Sequence, residues 1–280
     1  MPGTLFVVAT PIGNLEDITL RALRVLRQAQ LIAAEDTRHS AKLLQHHGVS
    51  TPTISFHQHN TRERIPQLLG RLAAGDDVAL ITDAGTPGVS DPGVELVREC
   101  AEQGYPIDPI PGPSAPLTAV VASGFPLAPL TIFGFAPSRA SDRTAWLAAA
   151  ADIAHTWTFF ESPHRIQRTI AEAALLLGDR PILLGRELTK VHQQFIRGSA
   201  EQIARELSNP RGEFTVVVGP AVPVALEIAA ASDEEIAVLF GELTNTAGYS
   251  RRDAIATVAH RLNRSSRDVY AAIERHKHSG

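Results

Sequence analysis

The chain carries a single cysteine, Cys100, among 280 residues, so no internal disulfide is available to it. It also lacks any apolar run approaching the roughly 20 residues that a helix needs to cross a bilayer. Runs such as Phe6 to Ala9 and Val78 to Ile81 are of strand length. The opening Met-Pro-Gly-Thr has none of the charged-then-apolar character of a secretory leader. A reducing, cytoplasmic setting without a membrane is the expectation. Gly-x-Ser-x-Gly is absent, which leaves Ser-His-Asp hydrolysis without its nucleophile elbow. His46, His47, His57 and His59 crowd one stretch but have no carboxylates or cysteines at metal-ligand spacing, so no metal is expected.

The formal charge of -4 argues against a chain that coats nucleic acid along its whole length. The average conceals a gradient. From Ser250 onward seven basic residues (Arg251, Arg252, Arg261, Arg264, Arg267, Arg275, Lys277) face three acids, leaving that tail at +4 and the remainder at -8. His260, His276 and His278 lie beside them. A concentrated basic segment serves attraction to a phosphate backbone, and it serves equally as a solvated helix face.

The first half alternates strand-length apolar runs with helical periodicity. Leu5 to Ala9, Leu31 to Ala34, Ile54 to Phe56 and Val78 to Ile81 read as strands. Helices are marked by Ile18, Ala22, Leu23 and Leu26, by Ile65, Leu68, Leu69 and Leu72, and by Val94 and Val97. Strands flanked by helices predict a mostly parallel sheet covered on both faces. The rhythm pauses at Pro126 to Pro129. A second series then begins, with strands at Leu130 to Phe133, Thr156 to Phe160, Ile182 to Leu184, Gln194 to Ile196 and Phe214 to Val218. Helices between them are marked by Ile166, Ile170, Ala173, Ala174 and Leu177, and by Ile203 and Leu207. The division expected is an α/β domain over 1–124, a second over 125–223 and a small helical unit over 224–280. The last opens with five acids and no Lys or Arg between Ala221 and Gly248. Ser250-Arg-Arg-Asp253 and Ser265-Ser-Arg-Asp268 each place an acid three residues after a serine, as helix caps do. Each precedes an apolar stripe, and the pair reads as a helix-turn-helix. Such pairs contact RNA or simply pack.

Three loops carry the chemistry. Thr82-Asp-Ala-Gly-Thr-Pro-Gly-Val-Ser-Asp-Pro-Gly93 leaves a buried strand for a helix, at the edge where α/β sheets bind ligands. Neither G-x-G-x-x-G nor Gly-Lys-Ser/Thr continues it, so phosphate binding is disfavoured. An ionised Asp83 only accepts hydrogen bonds, which repels phosphate and suits an ammonium, a sulfonium environment or a ribose diol. S-adenosylmethionine offers all three and has no phosphate. Asp83, Ala84, Gly85 and Thr86 are therefore candidate cofactor contacts. Pro109-Ile-Pro-Gly-Pro-Ser-Ala-Pro116 is a second rigid loop, presenting Pro113, Ser114 and Ala115, with Ser114 placed to cap the helix that follows. Thr10 and Pro11, in the loop after the first strand, complete a potential wall.

These loops resemble those of the tetrapyrrole methylase superfamily. Within it, six motifs resemble its small-subunit ribosomal RNA cytidine methyltransferase branch: Ala9-Thr-Pro-Ile-Gly-Asn-Leu-Glu-Asp17, Ala34-Glu-Asp-Thr-Arg38, Asp83 to Gly93, Phe160-Glu-Ser-Pro-His-Arg165, Arg186-Glu-Leu-Thr-Lys190 and Gly212-Glu-Phe-Thr215. The resemblance runs from about Thr4 to Pro220, and the terminal helices are similar too. It implies two tandem α/β domains with S-adenosyl-L-methionine in the cleft between them, touched also by Phe160 and Thr215. It further implies a homodimer, no metal, and 2'-O-methylation of a cytidine in the decoding region of small-subunit (16S) rRNA, as free rRNA or as the assembled small ribosomal subunit. A ribose hydroxyl is a poor nucleophile, so positioning supplies most of the acceleration and a general base adds roughly 10² to 10⁴. Candidates for that base are Glu35 and Asp36, Glu161, Glu187 and a desolvated Lys190, with Glu161 or Glu187 preferred. An interdomain salt bridge is the alternative employment for each.

Arg38, Arg165 and Arg186 read as phosphate contacts, because guanidinium forks match phosphate oxygens. Arg251, Arg252, Arg264 and Arg267 join them from the tail. His164, after Pro163 at a helix start, reads as a cap or RNA contact. Two rival functions stay open: a methylase acting on a tetrapyrrole precursor, and a ribosome assembly factor that has kept the fold and lost catalysis. The basic tail argues against the first and the intact loops against the second.

Overall fold

The structure is a computed structural model that describes residues 1–89, 93–207, 210–221, 232–241, 243–244, 250–261 and 265–279. Ser90, Asp91 and Pro92 of the Asp83 to Gly93 loop lie outside the described residues, as do Arg264 and the side chains of Arg261, His260, Lys277 and His278.

Contacts divide the chain into a unit over Met1–Pro220 and a unit over Ala221–Gly280. The larger unit holds two five-stranded sheets. The first is built from β1 (Leu5–Val8), β2 (Leu31–Ala34), β3 (Thr53–Ser55), β4 (Val78–Ile81) and β5 (Ile107–Ile110), in the order β3-β2-β4-β1-β5. Every pairing in it is parallel. Helices α1 (Leu20–Gln28), α2 (Thr37–His46), α3 (Thr61–Ala73) and α4 (Gly93–Glu102) connect these strands. The strands are apolar throughout because side chains alternate between two covered faces. In β4, Ala79 and Ile81 pack with Val25, Leu26 and Leu43 of α1 and α2. Val78 and Leu80 pack on the other face with Leu68, Leu72 and Leu96 of α3 and α4.

Helix α5 (Ala115–Ser123) leads to the second sheet: β6 (Leu130–Phe135), β7 (Thr156–Glu161), β8 (Ile182–Arg186), β9 (Gln194–Gly198) and β10 (Phe214–Val218), ordered β6-β7-β10-β8-β9. Only β6 and β7 run parallel; β10 is antiparallel to both neighbours, and β8 to β9. Helices α6 (Ala140–Ala151), α7 (Ile166–Leu177) and α8 (Ala200–Glu206) cover one face through Trp157, Phe159, Leu184 and Val216. On the other face Leu183 and Val217 pack with Ala119 and Val120 of α5 and with Ile12 from the first sheet's edge. That apolar seam, near the ends of β1 and β8, fixes the two sheets about a common cleft.

The small unit holds α9 (Asp233–Gly241), α10 (Arg251–Arg261) and α11 (Ser266–Ser279). Its core gathers Ile236, Ala254, Val258, Val269 and Ile273. Ser265 caps α11 as its spacing predicts, its Oγ accepting from the Asp268 amide at 3.1 Å. No helix among the described residues is long and apolar enough to cross a membrane.

Candidate active site

Three loops of the first sheet converge because β4, β1 and β5 are adjacent and parallel, so their carboxyl ends share one edge. The loop after β1 is stitched to the loop after β4. Thr10 N donates to Gly85 O at 2.9 Å and Gly85 N returns a bond to Thr10 O at 3.1 Å. Thr10 Oγ1 donates to Thr82 O at 3.0 Å, and the residue is only 1 % exposed. Gly85 and Gly88 take the left-handed conformation (φ 83° and 93°) that tightens this turn at little cost to glycine. Thr86 Oγ1 donates to Pro113 O at 3.2 Å, which joins the loop after β5 to the same wall. Ser114 does precede α5, but its side chain makes no cap hydrogen bond, contrary to the expectation from sequence. It lines the cleft instead.

The cleft has a volume of about 350 Å³, within the range of small-molecule sites. Asp83, Ala84, Gly85, Thr86, Ser114 and Ala115 border it from the first sheet, Phe160 and Thr215 from the second. Thr10, Pro11 and Pro113 are not part of this lining: Thr10 and Pro113 hold the loops in place, and Pro11 borders a neighbouring cavity. Phe160 and Thr215 are brought together because they pair directly in the β7–β10 register. Phe135, not foreseen from sequence, packs its ring 5.3 Å from that of Phe160 while remaining 58 % exposed. A register shift beside Gly134 (φ 74°) re-aims it. The glycine inside an apolar run was the available signal.

The charged lining is one-sided. Glu35, Asp83, Glu161 and Glu213 contribute carboxylates, and no Lys, Arg or His appears among the described lining residues. Glu35 Oε2 accepts from Thr82 Oγ1 at 2.6 Å and from Asp83 N at 3.3 Å. Asp83 Oδ1 accepts from Asp36 N at 3.1 Å. Burial, with the nearby Glu35 and Asp36 carboxylates adding to it, raises Asp83 above the usual carboxylate range despite that bond.

The residues predicted as general bases are already employed. Glu161 is 1 % exposed; its Oε1 accepts from Ser162 N and from Arg165 Nη2, both at 2.7 Å, and its Oε2 from Thr169 Oγ1 at 2.7 Å. It therefore orders the β7–α7 turn. Glu187, in a left-handed conformation (φ 49°), accepts through Oε1 from Lys190 Nζ at 3.0 Å and from Glu213 N at 2.9 Å. Burial alone would raise its pKa, but the Glu213 amide and Lys190 outweigh it and hold Glu187 below the usual range. Gly212 permits the contact, since a Cβ there would lie 2.4 Å from the Glu187 carboxyl.

Lys190 corrects the expectation of a lowered lysine. Burial depresses its pKa, yet hydrogen bonds to Glu187 and to Glu213 Oε2, at 3.0 Å each, raise it above the usual range, so the amine stays charged. Asp36 caps α2 by accepting from Arg38 N at 2.8 Å and pairs with the Arg38 guanidinium at 3.1 Å. The Arg38 side chain leads the contacts that lower Asp36 to about 2.

Of the arginines read as phosphate contacts, Arg165 is tied to Glu161, and Arg186 donates through Nε to Arg211 O at 2.8 Å. The Arg38 side chain is 91 % exposed. In the small unit Arg252 and Arg267 are exposed, whereas Arg251 bonds Glu274 at 2.7 Å and lies over the Tyr270 ring. Among the described residues no group of three His, Cys, Asp or Glu could hold a metal.

The two halves also meet at Gly13. A Cβ there would sit 2.7 Å from Leu188 O and 2.6 Å from Lys190 Cγ, and Asn14 N accepts this closeness by donating to Thr189 Oγ1 at 3.0 Å.

The sequence model for tetrapyrrole (corrin/porphyrin) methylases matches residues 4–204. Among curated relatives, a ribosomal RNA small subunit methyltransferase I of Synechocystis sp. is 45 % identical over 224 residues, 79 % of this chain and 80 % of that one. A protein of the same name from Streptococcus pyogenes is 37 % identical over 270 residues, covering 96 % of this chain and 93 % of its own, so the likeness continues into the terminal helices. Among solved structures, uroporphyrin-III-C-methyltransferase from Thermus thermophilus aligns with a TM-score of 0.56 at 21 % identity, over 80 % of this chain and 98 % of that one. At that identity it speaks for a shared fold.

Proposed function

The chain belongs to the tetrapyrrole (corrin/porphyrin) methylase family, and on that premise we propose that it methylates the 2'-hydroxyl of a cytidine in the decoding region of small-subunit (16S) rRNA, with S-adenosyl-L-methionine as donor. The observation that carries the donor is the chemistry of the cleft: Glu35 and Asp83 line it with no ion pair among the described residues, Glu161 and Glu213 are neutralised by Arg165 and Lys190 from outside the lining, and no cation is among the described lining. Such a wall disfavours phosphate-bearing nucleotides and favours a ligand that pairs a sulfonium and an ammonium with ribose hydroxyls. The residues fit that group. Asp83 and Glu35 offer acceptors, Phe160 and Phe135 offer ring faces, and the Thr10–Gly85 and Thr86–Pro113 bonds hold loop backbone still, which lowers the ordering cost of binding. Bound there, S-adenosylmethionine supplies an electrophilic methyl group on a charged sulfur. The protein's own task is to exclude water, hold the acceptor in line and receive a proton.

The acceptor half of the reading draws on relatives named for ribosomal RNA at up to 46 % identity, against 21 % for the tetrapyrrole enzyme above. It draws also on the +4 segment after Ser250, whose Arg252 and Arg267 are exposed. A macrocycle needs no such appendage. Homodimerisation, a cytoplasmic location, engagement of the assembled small ribosomal subunit, and the division near residues 124 and 223 belong to the same reading.

The test is transfer of labelled methyl groups from S-adenosylmethionine to undermodified small subunits, followed by nuclease digestion and nucleoside mass spectrometry. A 2'-O-methylcytidine is the expected product. Cofactor binding without incorporation into any RNA would return the assembly-factor reading, and incorporation into a tetrapyrrole precursor would return the other.

A further inference from the structure

Helix α11 turns Val269, Ala272 and Ile273 inward, each at most 2 % exposed, into the core of the small unit. Tyr270 stands one residue round from Val269, flanks that stripe and is left 49 % exposed. Phe240, by contrast, packs against the same core. The Arg251 guanidinium, from the first turn of α10, lies 5.8 Å from the centroid of the Tyr270 ring, a cation–π distance. A 2.7 Å ion pair with Glu274, one turn after Tyr270 on α11, fixes Arg251 there. The ring is thus braced by a cation and half open to solvent.

Arg267 lies one turn before Tyr270 on the same side of α11, and Arg252 follows Arg251 at the start of α10. Both are exposed, and neither makes an ion pair among the described residues. The acids of α11 are occupied: Glu274 holds Arg251, and Asp268 accepts from Ser265 Oγ at 2.6 Å within the helix cap. An open aromatic ring beside uncompensated guanidinium groups matches the two parts of a single-stranded nucleotide, a planar base that stacks and a phosphate that pairs. A protein-binding patch carries an apolar centre. Tyr270 has instead Arg251 over it and Arg267 one turn away, in a segment of net charge +4.

Resting on the RNA-acceptor reading above, we propose that Tyr270 is a stacking platform for an unpaired base of the RNA substrate, with Arg267 and Arg252 holding the adjoining phosphates. Stacking uses the π-face that every base has, so this contact adds affinity without reading sequence. It needs the ring and not the phenolic hydroxyl. The phosphate contacts release counterions and make binding depend on salt, whereas the stacked base does not. The two halves of the site are therefore separable by experiment.

The test uses the full chain and measures Kd at several salt concentrations for two probes. One is a single-stranded RNA fragment of the decoding region, with bases and phosphates; the other is inorganic polyphosphate, with phosphates alone. Tyr270→Phe is expected to bind both as wild type does. Tyr270→Leu, which keeps apolar bulk and loses the ring, is expected to weaken RNA by about fivefold or more, with its salt slope and its polyphosphate affinity unchanged. Arg267→Gln is expected to weaken both probes and to reduce the salt slope for RNA by about 0.7. Equal loss of both probes in Tyr270→Leu would make the ring a structural prop and overturn its assignment, as would wild-type RNA affinity in that variant or an equal loss in Tyr270→Phe. An unchanged salt slope in Arg267→Gln would overturn the phosphate half. A wild-type chain that binds S-adenosylmethionine but no RNA would overturn the acceptor reading, and this inference with it; wild type that binds RNA, with unaffected variants, would overturn only the inference.

Discussion

Replacing Glu161 by glutamine separates a proton acceptor from a residue that builds the turn on which the cleft stands. Glutamine keeps the shape and one acceptor oxygen. With that oxygen at the Oε1 position, the Ser162 N–H is still satisfied, and the new amide can donate to Thr169 Oγ1, which accepts as readily as it donates. What is lost is the charge facing Arg165 Nη2 at 2.7 Å. A charge-assisted hydrogen bond contributes about 1.5–3 kcal/mol, and partial exposure of the Arg165 side chain brings the expected loss to about 2 kcal/mol. For a unit of this size that corresponds to a fall of about 4–8 °C in Tm. The readout is convenient, because both tryptophans pack together, Trp146 on α6 against Trp157 of β7, the strand that Glu161 ends. Urea unfolding followed by their fluorescence is expected to show a lower midpoint with unchanged slope. The saturated methyl-transfer rate is expected to fall less than tenfold. A variant as stable as wild type whose rate falls by 10² or more would refute this reasoning and restore Glu161 as the base.

Gly13→Ala is expected to weaken S-adenosylmethionine binding by roughly fivefold or more, since a Cβ 2.7 Å from Leu188 O cannot be absorbed by side-chain motion and overpacking costs about 1–3 kcal/mol; an unchanged calorimetric Kd would remove this contact from the positioning of the cleft. Arg180→Met is expected to destabilise by about 3–5 kcal/mol in urea, because the buried Arg180 donates to the carbonyls of Gly219, Ala151, Ile153 and His155 at 2.6–3.2 Å at the second sheet's end. Asp36 is held at about 2, below its ordinary 3.8, so its contribution to stability is full above about 3.8 and fades as pH falls through 2. The stability difference between wild type and Asp36→Asn should therefore be constant at neutral pH and close between pH 4 and 2; a gap that persists at pH 2 would contradict the assignment.

The strands of the first sheet were legible because a strand buried on both faces must be apolar at every position, as Val78-Ala-Leu-Ile81 is. The loops were legible because glycine and proline mark backbone geometry directly. Direction was not. Nothing in the pattern of Phe214 to Val218 distinguishes a strand antiparallel to β7 and β8 from a parallel one, and the second sheet is mixed. Helix α6 escaped because its Ala148 to Ala151 run has no stripe to detect, and Phe135 because alternation breaks at Gly134.

The site was harder still, for a reason that lies in what a carboxylate is. Glu35, Asp36, Asp83, Glu161 and Glu187 are chemically alike in sequence, each just after or at the end of a predicted strand. What distinguishes them is how many donors surround each one, and those donors come from far along the chain. The strand order places β2 next to β4, so Asp36 N reaches Asp83 across 47 residues and leaves its second oxygen open. The β8–β9 loop brings Lys190 against Glu213 across 23 residues and closes off Glu187 in the same step. The partners of each carboxylate are thus set by sheet topology, and an acid's suitability as a base follows from the neighbours it lacks as much as from those it has.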